Sequence, residues 1–161
     1  CRMGGLAGKW KGNEIMEPIC VKKLHPNAVI PTYGSQEAAG ADLYACLDES
    51  VVIPAGKTVF VATGLALEVP KGCAGLIYAR SSMGAKRGLA PANKVGVIDA
   101  DYRGEVKVAL HNHSEAAVTV EPFERVAQLA IVPFLKAEFE EADELSDTVR
   151  GEGGFGSTGR K

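Results

Sequence analysis

The most informative stretch of the sequence runs from Asn93 to Glu105 and reads Asn-Lys-Val-Gly-Val-Ile-Asp-Ala-Asp-Tyr-Arg-Gly-Glu. An apolar run from Val95 to Ile98, broken only by Gly96, leads into this Asp- and Gly-rich turn. Residues 106 to 111 then alternate between apolar and less apolar side chains. A period of two on both sides of a turn is typical of strands, so the stretch predicts a β-hairpin.

Gly96 and Asp99 give this hairpin a candidate chemistry. Because Gly96 has no side chain, a flat ligand could lie against bare backbone and bond to its N–H and C=O groups. Asp99, at the end of the strand, could then face the ligand. The alternative is a solvated turn without a function, since Asp and Gly are common turn residues.

From Met16 onward the chain reads as many short strands separated by Pro- and Gly-containing turns. This spacing predicts an all-β sandwich or jelly roll. One segment differs: residues 81 to 88 open with hydroxyls that could cap a helix and end on Gly88, which predicts a short helical turn. Outside the hairpin, the predicted strands are Ile19–Leu24, Ala41–Cys46, Val51–Ile53, Thr58–Ala62, Leu65–Val69, Cys73–Ala79, Val118–Val120, Val126–Val132 and Phe134–Phe139.

Length and composition indicate one globular domain, because the chain has 161 residues, 46% of them apolar, and a formal net charge of −2. Its basic residues are scattered, which argues against a nucleic-acid or membrane surface and leaves small anionic ligands open. The four cysteines form no Cys-x-x-Cys pair, which favours reduced thiols, with Cys46 and Cys73 in the core. Without an apolar span or a signal-peptide block, we expect a soluble, cytoplasmic protein.

The packed domain is predicted to span residues 16 to 145, with a segment of a different kind on each side. Residues 1 to 15 show neither helical nor strand period, so we expect an extension: a leader, an expression remnant or a mobile tail. Residues 146 to 161 are rich in glycine and contain one aromatic residue, Phe155. Such a segment cannot form a core and is predicted to be a flexible arm.

Three further segments carry candidate ligand groups. Arg80 stands directly before Ser81 and Ser82 at a possible helix start, an arrangement that suits phosphate oxygens, although a surface salt bridge is the alternative. Asp42 follows small residues and could hold a metal-bound water, or else accept local N–H groups. Gln128 lies in an apolar strand, where its amide must bond either to backbone groups or to a ligand.

The arm from Arg150 to Gly159 combines a cation, accessible backbone N–H groups, two hydroxyls and an aromatic ring. These groups could grip a phosphate and a base, whereas the alternative is a disordered Gly-rich terminus. The arm is not a P-loop, because no Lys follows Gly156. It is not a dinucleotide fingerprint either, because no βαβ unit flanks it.

The sequence lacks the residue patterns that a histidine metal site, a zinc deaminase or a serine hydrolase would require. His111-x-His113 has no third metal ligand at a useful spacing, so a partly buried or solvated pair is the better interpretation. The zinc-deaminase pattern and the serine nucleophile elbow are both absent from the sequence.

Taken together, the chain from Met16 to Gly159 resembles the trimeric dUTP diphosphatases, the dUTPase family. Five segments occur in the family's order: Ala38–Ala45, Ala79–Gly84, Asn93–Glu105, Glu124–Ile131 and Arg150–Gly159. The resemblance implies a distorted jelly roll, or β-clip barrel, with one short helix and a flexible C-terminal arm. It also implies hydrolysis of dUTP to dUMP and pyrophosphate, Mg²⁺ as cofactor, and a homotrimer whose active sites are shared because the arm crosses to a neighbour.

The resemblance assigns a role to each matching position. Asp99 would activate the water that attacks the α-phosphorus, Tyr102 would lie under the deoxyribose and exclude a 2′-hydroxyl, and Asp42 would support Mg²⁺ through water. The uracil and sugar pocket would be bordered by Asn93, Gly96, Val97, Ile98 and Lys107. The phosphates would be held by Arg80, Ser81, Ser82 and Gln128. From the arm, the γ-phosphate and the uracil would be covered by Arg150, Phe155, Gly156, Ser157 and Thr158.

One position departs from the family pattern: Ser82 stands where the second motif often has Gly. Serine is small enough for a tight phosphate turn, so we expect activity to be kept. Two other functions stay open at this point, namely dCTP deamination on a related scaffold and a non-catalytic trimer that senses or sequesters nucleotides. Release of ammonia from dCTP would identify the first, and tight dUTP binding without pyrophosphate release the second.

Overall fold

The computed structural model describes residues 18 to 154 as short strands with one π-helix, Ser82–Lys86. The prediction of an all-β fold with a single short helical segment is therefore confirmed. In chain order, the strands are β1 (Val21–Lys23), β2 (Thr32–Tyr33), β3 (Ala41–Tyr44), β4 (Val51–Ile53), β5 (Thr58–Ala62), β6 (Leu65–Leu67), β7 (Cys73–Tyr78), β8 (Leu89–Pro91), β9 (Gly96–Ile98), β10 (Lys107–Asn112), β11 (Val118–Val120) and β12 (Arg125–Pro133).

The strands form four open antiparallel sheets. The largest has the order β2-β3-β12-β7-β9, and the next has the order β5-β10-β8. Two further pairs, β1-β6 and β11-β4, complete the described part of the chain. The long strand β12 lies at the centre of the largest sheet, with β3 and β7 on either side.

The core lies between these sheets and follows from the alternation of side chains along them. In the segment around β10, Val106, Val108 and Leu110 are buried, and they pack with side chains from the other sheets such as Leu43 and Val126. Full burial of each such side chain contributes roughly 1.5–3 kcal/mol. This face of β10 therefore fixes which residues of the same strand point outward.

Two polar side chains in the core have hydrogen-bond partners. The Thr63 hydroxyl donates to the carbonyl of Val106 at 2.6 Å. The Asn112 amide nitrogen donates to the carbonyls of Ile53 and Ala116 at 2.9 and 2.8 Å. A buried polar group without a partner is destabilising, so these bonds keep both residues compatible with the core.

The predicted β-hairpin is wrong, because its two strands join different sheets. β9 pairs with β7, whereas β10 pairs with β5 and β8. Before β10 begins, the Val106 N–H donates to the carbonyl of Leu65 and the Val106 carbonyl accepts from the Thr63 N–H. These bonds draw the chain away from β9, so the Asp- and Gly-rich stretch is a crossing loop between sheets.

The predicted strand Phe134–Phe139 is also wrong. β12 ends at Pro133, and the Phe134 N–H makes a last backbone bond to the carbonyl of Gly72. Leu135 and Phe139 beyond it are almost fully exposed. The segment has the composition of a strand, but among residues 18 to 154 no neighbouring strand pairs with it. β2 and β8 were not predicted from the sequence.

The helical turn lies where the sequence predicts it, but its start differs from the expectation. Ser81 makes no side-chain capping bond, and the N–H groups of Met83 and Gly84 bond instead to the backbone carbonyl of Arg80. Gly88 has a φ of 68°, which only glycine adopts without strain, so the predicted glycine stop is confirmed.

The cysteines differ from one another in their surroundings. Cys73 is buried in the core as predicted, whereas Cys46 is only half-buried, and both carry free thiols. Cys20 is disulfide-bonded, so the prediction of reduced thiols is wrong for that residue.

Candidate active site

A cavity of about 430 Å³ opens beside β9 and the loop that follows it. It brings together every site residue predicted from the stretch Asn93–Glu105 and from the start of β10. Those lining residues are Asn93, Gly96, Val97, Ile98, Asp99, Tyr102 and Lys107.

Strand register explains why a glycine is needed in β9. Gly96 lies opposite Ile77 of β7, and a Cβ atom on Gly96 would lie 3.2 Å from the Cβ of Ile77 and 3.4 Å from the amide nitrogen of Asn93. Both neighbours line the cavity. The missing side chain therefore makes room for one apolar and one amide group in the cavity wall, next to the exposed backbone of β9.

Asp99 is exposed at the end of β9 and faces this cavity. A turn bond from the Tyr102 N–H to the Asp99 carbonyl, at 3.1 Å, fixes the backbone here. Within residues 18 to 154 the Asp99 carboxylate accepts no hydrogen bond and pairs with no cation. Both of its oxygens are thus accessible to a ligand or to water.

The cavity is also lined by three residues that contact one another, Tyr102, Glu105 and Lys107. The Tyr102 hydroxyl donates to the carbonyl of Glu105 at 3.0 Å, and its ring lies on Gly104, where a Cβ atom would be 2.5 Å from the hydroxyl oxygen. The Lys107 ammonium lies 3.2 Å from Oε2 of Glu105. An aromatic ring, a carboxylate and an ammonium group therefore line the same cavity as an aspartate that has no partner among the described residues.

A second cluster forms on the largest sheet around Asp42, whose side chain is buried. Arg80 donates through Nε to Oδ1 of Asp42 at 2.6 Å and through Nη1 to Oγ of Ser82 at 3.1 Å. Arg125 donates to the other oxygen, Oδ2, at 3.2 Å. Arg80 thus forms a salt bridge, as in the alternative interpretation, but its partner Asp42 is buried rather than at the surface. Its hydrogen bond to Ser82 also involves one of the hydroxyls predicted beside it.

Gln128 belongs to this second cluster through strand register. It pairs with Asp42 on one side and with Tyr78 on the other, so their side chains share one face of the sheet. Its amide nitrogen donates to the carbonyl of Ala79 at 2.9 Å, so a backbone group satisfies that nitrogen. Gly40 leaves it room, because a Cβ atom there would lie 2.6 Å from Oε1 of Gln128.

The two clusters lie at opposite ends of β7. Antiparallel pairing of Ile98 with Gly75 places Asp99 beside Ala74, and Arg80 follows six residues later along the chain. At about 3.3 Å per residue of extended chain, Asp99 and Arg80 of one chain are roughly 15–20 Å apart. The structure therefore does not bring the predicted catalytic and phosphate-binding residues into one cavity of a single chain.

The predicted residues of the C-terminal arm lie mostly outside the described part of the chain. Phe155, Gly156, Ser157 and Thr158 are among those outside it. Arg150 is described, and it donates through Nε to the carbonyl of Gly153 at 2.6 Å.

Sequence reasoning missed four residues that line the cavity: Phe60, Ile77, Glu105 and Val106. Phe60 lies on β5, is largely exposed, and alternates with the buried Val61. An aromatic residue at an outward position of a strand is a signal that could have pointed to it. Glu105 is the last residue of the quoted stretch, but no role was predicted for it.

The histidine pair has no metal-site geometry. The rings of His111 and His113 meet edge to face at 4.5 Å, and Nδ1 of His111 bonds to the Thr58 hydroxyl at 2.9 Å. Desolvation, followed by the charges of His111 and Lys94, lowers the pKa of His113. No three His, Cys, Asp or Glu residues between 18 and 154 come together as metal ligands. Over the same range, no helix has the length and apolar character needed to cross a membrane.

Known proteins are similar to this chain in both sequence and fold. A family model described as dUTPase matches residues 26 to 159. A deoxyuridine 5'-triphosphate nucleotidohydrolase of a Hydrogenobaculum species is 49% identical over 143 residues, which cover 89% of this chain and 99% of the relative. One of Neisseria meningitidis serogroup A is 49% identical over 132 residues, which cover 81% and 88%.

Among solved structures, a variant of the dUTPase of Staphylococcus bacteriophage 80alpha with dUpNHpp superposes with a TM-score of 0.82. It is 28% identical, and the match covers 89% of this chain and 99% of that chain. A variant of the phage phi11 dUTPase, described with a structural Mg(II) ion, has a TM-score of 0.70 at 25% identity and covers 80% and 98%. The jelly-roll type of fold is thereby confirmed. With a family model that matches most of its length and relatives nearly half identical, this chain is a member of the dUTPase family.

Proposed function

We propose that this protein hydrolyses dUTP to dUMP and pyrophosphate, with Asp99 as the residue that acts on the attacking water. The observation that carries this is an unpaired, exposed carboxylate in a cavity that also holds an amide, an apolar wall and an aromatic ring. A carboxylate can orient a water molecule and accept its proton. As the water oxygen bonds to the α-phosphorus, the bond to the bridging oxygen breaks and pyrophosphate leaves.

The cavity wall suits a deoxyuridine. Gly96, Val97 and Ile98 present strand backbone, and Asn93 adds an amide that can both donate and accept. Tyr102 takes the place against the sugar, where its ring would leave no room for a 2′-hydroxyl. A pocket that bonds the uracil edge would reject cytosine strongly, since a base with reversed groups leaves buried polar atoms without partners.

The phosphates are assigned to the Asp42 cluster and to the arm. Arg80, Ser81, Ser82 and Gln128 offer one guanidinium, two hydroxyls and an amide, which are common phosphate ligands. Arg150, Ser157 and Thr158 would close on the γ-phosphate, and Phe155 with Gly156 would cover the base. Because phosphoryl-transfer transition states are loose, positioning and charge neutralisation supply most of the catalytic effect.

The separation of the two clusters supports a site shared between copies of the chain. One α-phosphate cannot be close to Asp99 and also be held by Arg80 of the same chain if the two residues are roughly 15–20 Å apart along β7. A second copy that contributes Arg80 to the cavity of the first removes this conflict. A homotrimer, with the arm of a further copy closing the site, is the assembly we propose.

The donor set fits magnesium carried by the substrate. Mg²⁺ is usually bound by one or two carboxylates, several waters and substrate phosphates. Asp42 offers carboxylate oxygens beside the phosphate ligands, although both already accept bonds from arginines, so its contact with the ion would run through water. When bound, the ion would neutralise charge on the phosphates.

The cytoplasmic location of the protein also stays a prediction.

The test is a pyrophosphate assay with dUTP, dTTP, dCTP and UTP, followed by the variant Asp99→Asn. We expect release from dUTP alone, and an Asp99→Asn protein that binds dUTP with Mg²⁺ but turns it over at least about a thousandfold more slowly. Near-normal turnover in the variant would falsify the role of Asp99. Ammonia from dCTP would indicate a deaminase, and tight dUTP binding without any release a non-catalytic nucleotide binder.

Mixed assemblies test the shared site. Asp99→Asn chains and Arg80→Ala chains, each inactive alone, are unfolded together, refolded and assayed. If Asp99 and Arg80 of one site come from different copies, some sites of the mixture contain both native residues, and activity returns. No recovery in a mixture shown to contain both chains in one oligomer would contradict sharing.

A further inference from the structure

Glu105 lines the cavity but has no role in the function proposed above, and its contacts are unusual for a loop carboxylate. Oε1 accepts the N–H of Gly64 at 3.1 Å, and Oε2 lies 3.2 Å from the ammonium of Lys107. Its backbone carbonyl accepts the Tyr102 hydroxyl at 3.0 Å. One residue thus connects the ring and the cation of the cavity wall to the link between β5 and β6.

The Gly64 end of this connection is rigid. Gly64 has a φ of +66°, and a Cβ atom there would lie 2.8 Å from Sγ of Cys46 and 2.9 Å from Cβ of Ala28. A crowded backbone N–H is a fixed donor, unlike a surface side chain. By binding one carboxylate oxygen, it sets the direction in which the other oxygen points.

The contact of Glu105 with Lys107 is less rigid, because the Lys107 side chain is half-exposed and has a flexible four-carbon stem. Lys107 is the one cation lining the cavity within the described residues, and Asp99 lines the same cavity. An ammonium released from Glu105 could therefore pair with Asp99, which otherwise has both oxygens accessible. It could also attract a phosphate into the space meant for the base.

We propose that Glu105 is a positioning residue of the nucleotide site. It holds Lys107 away from Asp99, and it fixes the Tyr102 ring that selects deoxyribose. The inference rests on the proposed binding of a deoxyuridine nucleotide in this cavity. Glu105 acts through Lys107 and Tyr102 and does not itself touch the attacking water or the α-phosphorus.

Two variants separate the contacts of Glu105. Glu105→Gln keeps an oxygen for the Gly64 N–H and removes the charge attraction to Lys107, whereas Glu105→Ala removes both. For a half-exposed pair we expect Glu105→Gln to raise the KM for dUTP and the Kd for dUMP about two- to fivefold. Glu105→Ala should add a further loss of about threefold or more and lower the preference for dUTP over UTP. The control is Asp101→Asn, which removes an exposed carboxylate of the same loop outside the cavity.

The decisive measurement is the double variant with Lys107→Met. If Glu105 acts through Lys107, Glu105→Gln has less than about a twofold effect on KM and Kd once the ammonium is gone. A merely structural role would instead lower the unfolding temperature and leave the same loss in both backgrounds. Unchanged KM, Kd and sugar preference in Glu105→Gln and Glu105→Ala would overturn the proposal. The dUMP titration gives this answer even if the wild-type protein released no pyrophosphate, an outcome that would refute the proposed function instead.

Discussion

The Asp42 carboxylate pairs with two arginines, so replacing Asp42 should lower the stability of the protein even when no ligand is bound. The side chains of Asp42 and Arg80 are 9% and 22% exposed, so their pair is largely buried, while that of Arg125 is 50% exposed. Breaking a buried pair costs about 3–5 kcal/mol, whereas an exposed pair contributes about 0–1 kcal/mol. Because Arg80 keeps its bond to Ser82 and stays partly hydrated, we expect a loss of about 2–4 kcal/mol for Asp42→Ala.

Thermal unfolding followed by circular dichroism measures this loss. For a chain of this size, 1 kcal/mol shifts the unfolding temperature by about 2–4 °C, so Asp42→Ala should unfold about 4–16 °C below the wild type. The unfolding temperature of Asp42→Asn should lie between those of the wild type and Asp42→Ala, because the amide oxygen of Asn can still accept a hydrogen bond from Nε of Arg80. Asp101→Asn provides the control, since it removes a negative charge from an exposed loop position.

The experiment is run in EDTA as well as in Mg²⁺, since Asp42 is also assigned to the metal. The arginine pairs do not need the ion, so the deficit of Asp42→Ala should persist in EDTA. A variant that unfolds within about 2 °C of the wild type in EDTA would refute the reasoning from the ion pairs. Asp42 would then act mainly on the phosphates and their magnesium.

Two further predictions concern single backbone positions. Gly104→Ala places a Cβ atom 2.5 Å from the Tyr102 hydroxyl, so the Tyr102 ring must move. We expect the ratio of kcat/KM for dUTP to kcat/KM for UTP to fall. An unchanged ratio would contradict the role of Tyr102 in sugar selection. Phe123→Gly removes a half-exposed side chain from a left-handed position with a φ of 63°. Relief of about 1–2 kcal/mol of strain is offset by the entropy cost of glycine, about 0.5–1 kcal/mol, and by the lost burial of half a Phe side chain, about 1 kcal/mol. The unfolding temperature should therefore stay within about 3 °C of the wild type, and a larger fall would contradict the strain.

The sequence predicts the local elements of this fold better than their pairing. β4, β5 and β11 have the predicted bounds, because short β-branched runs there end at turn residues such as Pro54 and Gly56. The hairpin prediction failed because the alternation of side chains does not show which strand will be the partner. The partner of β10 depends on the backbone bonds of Val106 to Leu65 and Thr63, which lie some forty residues earlier in the chain. Phe134–Phe139 failed for the same reason.

The site was predictable where its residues are close in sequence. All seven cavity residues named in advance lie between positions 93 and 107, so one loop and two strand ends carry them together. Phe60 and Ile77 reach the same cavity from β5 and β7, and no local pattern connects them to Asp99. The Asp42 cluster likewise joins residues 38 and 83 positions apart, which only the order of strands in the largest sheet brings into contact.

The largest sheet also explains why each cluster is incomplete by itself. β7 runs antiparallel to β9, so Asp99 is fixed at the end where β7 begins and Arg80 at the end where it stops. The number of residues between Ala74 and Arg80 sets this separation along the backbone. In the shared site proposed above, Arg80 would therefore serve the Asp99 of another copy. Lengthening or breaking β7 would then damage two sites at once, whereas an altered Asp99 or Arg80 would damage only one each.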